Sequence, residues 1–306
     1  MNRFLISIFN RVWVVYAIMF LIVMLFFNRN QVADDVLNIA RPSADYLHFF
    51  SYGTKPFDKN EFKRAKAYYQ TLISGKFSTS AMHADLGFCD YYLKDTKSAV
   101  KQYNIAVQKD QRMYAFYYDL GVIAQSQKDH QRAQEMFKKS IFLLPRTKDD
   151  LLNALHIPSK YRGQMMFEYY FHQRLPWDTL MAYVHLLESL STLKMYSEVL
   201  GYAAEAIKLF PNDPEIFFYA SLGAYHSGFF KESLGFIVKA ITIAPNYAKA
   251  YELKAMLMHE LGNEEALKQD RINSQHYKGY EDWHRNSEIQ ELHHWDENTL
   301  LFQIYR

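Results

Sequence analysis

The 306-residue chain is 49% hydrophobic and only 22% charged, which excludes a disordered tail and leaves ample apolar surface for a core. Its 35 basic and 33 acidic residues nearly cancel to a net charge of +2, so nothing in the balance supports nucleic-acid binding. A single cysteine, Cys89, excludes an intramolecular disulfide framework and any paired-cysteine zinc site.

The first element is a membrane-spanning helix. Residues 12–27 form a run of sixteen without a charge. At about 1.5 Å per residue this is ~24 Å of helix, a little short of a ~30 Å hydrocarbon core. The apolar stretch at residues 4–9 lengthens it, with Arg11 snorkelling to the headgroups and Trp13 and Tyr16 near one interface. A cleaved signal peptide is the rival reading, but Asn28, Arg29, Asn30 and Gln31 follow the run where a small-residue cleavage site would stand. Arg3 and Arg11 on the short side, against Arg29 and the more distant Arg41, predict a cytoplasmic N-terminus and an extracytoplasmic body. The predicted organisation is an anchor over residues 1–30, a linker over 31–58, a helical body over 59–262, and a capping helix with a tail over 263–306.

The body repeats. Leu86-Gly87 recurs as Leu120-Gly121, Ala99 as Ala133, Tyr103 as Phe137 and Pro211 as Pro245, each after 34 residues. A repeat starting at Tyr114 carries Tyr117, Leu120, Gly121, Ala133, Phe137, Ser140 and Pro145. Others start at Ser80, Leu180, Pro214 and Ala248, the last with Tyr251 and Ala255 and an expected loss of register by about one residue at Ala266. Residues 62–73 have helical spacing and read as the second helix of an incomplete repeat. Residues 147–179 span one repeat length but lack the signature, and read as a degenerate repeat or an insertion.

This pattern resembles the tetratricopeptide repeat family. The resemblance implies an all-α fold, a right-handed α-solenoid of antiparallel helix pairs, here with one N-terminal transmembrane helix. Small residues would let the helices approach closely, and proline would stop the second helix of a pair. No pair buries its apolar face alone, so the pairs stack.

There is no phosphate-binding glycine loop, no zinc-protease helix motif and no serine-hydrolase elbow in the chain. His276, His284, His293 and His294 form the densest histidine group, without a metal-ligand spacing. Cys89 lies among Phe88, Tyr91 and Tyr92 with no adjacent base to activate it. The chain is therefore expected not to be an enzyme and to need no cofactor or metal.

The resemblance also implies a concave groove lined by the first helix of each pair. The residues at those positions predict an aromatic protein-binding surface of Phe88, Tyr91, Tyr92, Tyr118, Val122, Phe218, Leu222 and Tyr225, partly open to solvent. Internal packing is the competing reading of the same side chains. The partners expected are other proteins, membrane or envelope components among them, with self-association left open. The expected function is a membrane-anchored scaffold for assembling or organising a membrane complex, or alternatively a permanent structural subunit of one.

Overall fold

The computed structural model describes residues 59–74, 78–147, 150 and 175–283. The expected anchor, the linker, most of the 147–179 segment and the tail beyond residue 283 lie outside them. Among the described residues there are eleven helices and no strand: α1 (Lys59–Ser74), α2 (Ser80–Tyr92), α3 (Thr96–Lys109), α4 (Tyr114–Ser126), α5 (His130–Leu143), α6 (Leu175–Thr192), α7 (Tyr196–Leu209), α8 (Pro214–His226), α9 (Phe230–Ile243), α10 (Ala248–Glu260) and α11 (Glu264–His276). None of these is long and apolar enough to cross a membrane.

The helices form five antiparallel pairs, α2–α3 to α10–α11, stacked in chain order, with α1 against α2. The two members of a pair differ as their sequences demand. First helices are mostly buried, α4 on every side from Tyr114 to Gly121, while α10 leaves Glu252 and Met256 exposed. Second helices bury one narrow stripe of mostly small residues, such as Ala99, Tyr103 and Ala106 in α3, or Ser233, Ile237 and Ala240 in α9. Closest approach falls where glycine or serine stands. A Cβ on Gly121 would lie 2.7 Å from the buried Phe137 ring, and one on Gly87 2.9 Å from Tyr103. In α8–α9 the hydroxyl of Ser221 donates to the Ser233 carbonyl at 2.9 Å, and the hydroxyl of Ser233 donates to the Ser221 carbonyl at 2.8 Å.

Every pair turns in the same way. The first helix ends in a left-handed residue, at Lys94, Lys128, Lys194, Gly228 and Gly262. The backbone N–H after it reaches back five residues, as in Asp95 to Asp90 at 2.8 Å and Phe229 to Ala224 at 2.9 Å. Glycine suits this position because it has no Cβ to clash, and lysine does not. Lys94→Gly, Lys128→Gly and Lys194→Gly are each expected to raise stability by about 0.5–1 kcal/mol, read as additive increases in melting temperature.

Two expectations about this region change. Register is kept in the last pair: Leu267 and Ser274 are buried 34 residues after Ser233 and Ala240, and Gly262 stands 34 after Gly228. Asn263 caps α11 through the Ala266 N–H at 3.1 Å, which places Ala266 inside the first turn and leaves Leu267 to face the core. The paired helices therefore continue to residue 276, beyond the boundary expected at 262. At the middle of the chain, α6 packs directly on α5. Tyr114 donates to Asp178 at 3.2 Å, the Gln125 amide to Glu188 at 2.9 Å, and Lys138 to Glu198 at 2.5 Å. Among the described residues the stack thus runs from α4–α5 directly onto α6–α7.

Burial of tyrosine hydroxyls ties the fold to pH. Burial pushes Tyr103 and Tyr247 well above the ordinary value of 10.0, and burial followed by the nearby Glu205 pushes Tyr183 up to about 12. A raised folded-state value means the folded chain holds the proton more tightly, so this stability is complete below pH ~10 and is lost as pH rises through the folded values. Alkaline titration should show the last part of the tyrosinate absorbance, that of buried rings such as Tyr103 and Tyr247, rising together with helix loss above pH ~10. Complete ionisation of every tyrosine in a still-helical chain would contradict the packing of Tyr103 and Tyr247.

Candidate functional site

The eight residues expected to line a groove divide into two sets. Phe88, Tyr118 and Phe218 are only 4%, 2% and 5% exposed, so the expectation that they are partly open is corrected: they are core. Each is covered by a neighbouring helix. The α1 ring of Phe62 lies 5.7 Å from Phe88, edge-on. His185 of α6 and Phe137 of α5 lie 5.8 Å and 5.5 Å from Tyr118. Tyr247, entering α10, lies 5.5 Å from Phe218, and the Lys249 ammonium stands 5.9 Å from the Phe218 centroid.

Tyr91, Tyr92, Val122, Leu222 and Tyr225 remain half-buried. Tyr92 stacks flat on Phe62 at 4.9 Å and Tyr91 meets Tyr92 edge-on, so α1 closes the N-terminal end of this face. Val122 and Leu222 pack against the main core with part of their surface outward.

The open space lies at the other end. A cleft of about 460 Å³ is bounded by Tyr225 at the end of α8, by Glu252, Met256 and His259 on α10, and by Leu267 and Arg271 on α11. Its walls are mixed. Met256 is 46% exposed, and Glu252 accepts a hydrogen bond from the Ser274 hydroxyl at 3.1 Å. The Tyr225 hydroxyl points to Glu260 at 3.5 Å, and burial, with that carboxylate, raises its pKa above the ordinary value. Only Tyr225 of the cleft belongs to the expected set. Leu267 and Arg271 sit on a second helix, and the signal that finds them is the unbroken 34-residue step into α11, which Ala266 obscures.

Nothing described here holds a metal: no group of three or more candidate ligands occurs among the described residues. Burial, and then Asp85 and Asp90, push the Cys89 thiol far above its ordinary range, so it stays protonated and unreactive.

The stacked helix pairs define a solenoid of the tetratricopeptide type. No protein-family model matches the sequence, nor does any curated protein. The chain is similar in structure to YrrB, described as a tetratricopeptide-repeat protein with an unusual peptide-binding site. The TM-score is 0.51 at 15% identity, over 70% of this chain and 93% of that one. It is also similar to residues 41 to the end of MamA from Desulfovibrio magneticus RS-1, with a TM-score of 0.51 at 13% identity, over 67% of this chain and 98% of that one. At these identities the likeness establishes the fold.

Proposed function

We propose that the protein is a membrane-anchored scaffold that binds other proteins and is not an enzyme. The observation that carries the binding half is the cleft at the end of α8, α10 and α11, whose lining mixes apolar Met256 and Leu267 with polar Glu252 and Arg271. Such a surface suits a peptide or helix with alternating apolar and polar side chains. YrrB, similar in fold, is itself described as having a peptide-binding site. The uncharged run at residues 12–27 supports anchoring, and the Arg3 and Arg11 bias supports a body on the extracytoplasmic side. Tethering would hold the cleft at high effective concentration near membrane proteins, which is what an assembly scaffold needs.

A photo-crosslinker at His259 in native membranes should capture a defined protein, and Tyr225→Ala should weaken that capture. Capture that is unchanged by Tyr225→Ala would move the interface elsewhere. A companion recovered at fixed stoichiometry in mild detergent would favour the second reading, a permanent subunit, which the half-buried rings of Tyr91, Tyr92 and Tyr225 also suit. For topology, protease added to intact spheroplasts should digest the solenoid; protection until lysis would reverse the orientation.

A further inference from the structure

The turns between paired helices break the fold's own local rules in two ways. Successive first helices run parallel in the stack, so their C-terminal turns line up along one side. Three of the five left-handed positions hold lysine instead of glycine: Lys94, Lys128 and Lys194. The following position caps the second helix. Asp95 and Asp129 do this, accepting the Ser98 and Arg132 N–H groups at 3.1 Å each. Met195 and Phe229 occupy the same position and make no capping bond. Phe229 is 52% exposed there. Both departures cost stability, so helix formation does not account for them.

We propose that this edge, from the α2–α3 turn to the α8–α9 turn, lies against an anionic lipid surface. Packed helices stand about 8–10 Å apart, so the three lysines form a row of roughly 20 Å rather than a pocket. Lysine is a hydrated point charge on a long flexible stem, suited to headgroups and less to the bidentate recognition that arginine provides. Exposed Lys97 and Lys231 and half-buried Arg132 extend the positive row. The acidic groups nearby are largely committed: Asp95 and Asp129 cap helix N-termini, and Glu198 pairs with Lys138 at 2.5 Å, leaving Glu232 outward. Phe229, beside Lys231 and near the Lys194 turn, is placed to enter the interfacial zone while the lysines stay at headgroup level. The row ends at the α10–α11 turn, where Glu260, Glu264 and Glu265 reverse the charge. The proposal concerns the solenoid's own edge and goes beyond the anchoring reading.

The test uses the full chain with an environment-sensitive fluorophore on Phe229→Cys. Cys89 is 2% exposed and does not compete for the label under native conditions. The same label on Phe142→Cys, which is 76% exposed at the end of α5 away from these turns, serves as control. The chain is reconstituted with vesicles of phosphatidylcholine alone or mixed with phosphatidylglycerol. The label at 229 should shift to the blue and become accessible to an acyl-chain quencher on the mixed vesicles only, and the label at 142 on neither. The triple variant Lys94→Gln, Lys128→Gln, Lys194→Gln should keep its melting temperature, yet lower the edge's partitioning onto mixed vesicles by roughly a hundredfold. A label at 229 that stays aqueous on both vesicles overturns the proposal, whether or not the chain floats with them. So does an equal shift at 142. Lysine-dependent capture of an acidic protein without any lipid shift would also overturn it, and assign the edge to a protein partner. Loss of attachment to neutral vesicles alone would count against the anchor at residues 12–27, while a shift at 229 on mixed vesicles would still uphold the edge.

Discussion

Phe218→Ala is expected to destabilise the fold by about 3–5 kcal/mol, the cost of emptying a buried aromatic site. Phe218 is 5% exposed and packs against Tyr219 and Tyr247 with the Lys249 ammonium over its ring, so truncation leaves a cavity at the seam between α8 and α10. Tyr225→Ala is the contrasting variant. Its ring is half-buried and its hydroxyl contact with Glu260 is long at 3.5 Å, so the fold should lose about 1 kcal/mol or less. If Tyr225 is a hot spot of the cleft, partner affinity should fall by about 2 kcal/mol or more, roughly thirtyfold. One melting curve and one pull-down per variant separate these outcomes. A stable Phe218→Ala protein with weakened capture would restore Phe218 to the binding surface and contradict its burial.

Gly121→Leu is expected to cost about 3 kcal/mol or more, beyond the lower end of overpacking effects. The Cβ alone meets three atoms of the Phe137 ring between 2.7 and 2.9 Å. Phe137 is fully buried and has His185 stacked on it at 5.4 Å, so the ring has nowhere to retreat. Gly235→Leu is the natural control, because a Cβ there meets nothing within 4 Å. Equal melting temperatures for the two variants would show that α4 and α5 are not in contact as described.

The helix pairs were legible because close packing admits few residue types. Gly87 and Gly121 repeat because Tyr103 and Phe137 repeat opposite them, so a 34-residue period in sequence is a period in contacts. The identity of the site was less legible. Position along a helix says which way Tyr118 and Phe218 point, but not that His185 and Tyr247 from neighbouring elements cover them. The left-handed turns were missed for a related reason. Lys94, Lys128 and Lys194 do not look like helix stops, and only Gly228 and Gly262 carry the usual signal. The α5–α6 contact was ambiguous because residues 147–179 have the length of a repeat without its small residues.

That contact bears on how the chain assembles. Bonds across the junction of α4–α5 with α6–α7 join residues 60 to 64 apart, as in Lys138–Glu198 and Tyr114–Asp178, where Ser221 and Ser233 within one pair are 12 apart. Closing a longer loop costs entropy before any contact repays it, so this junction is expected to form after the pairs on either side. Until then the chain carries two complementary faces, on α5 and α6, that recognise each other and are indifferent to whether one molecule supplies both. At high concentration the front half of one copy can therefore complete the back half of another, giving exchanged dimers with every native contact intact.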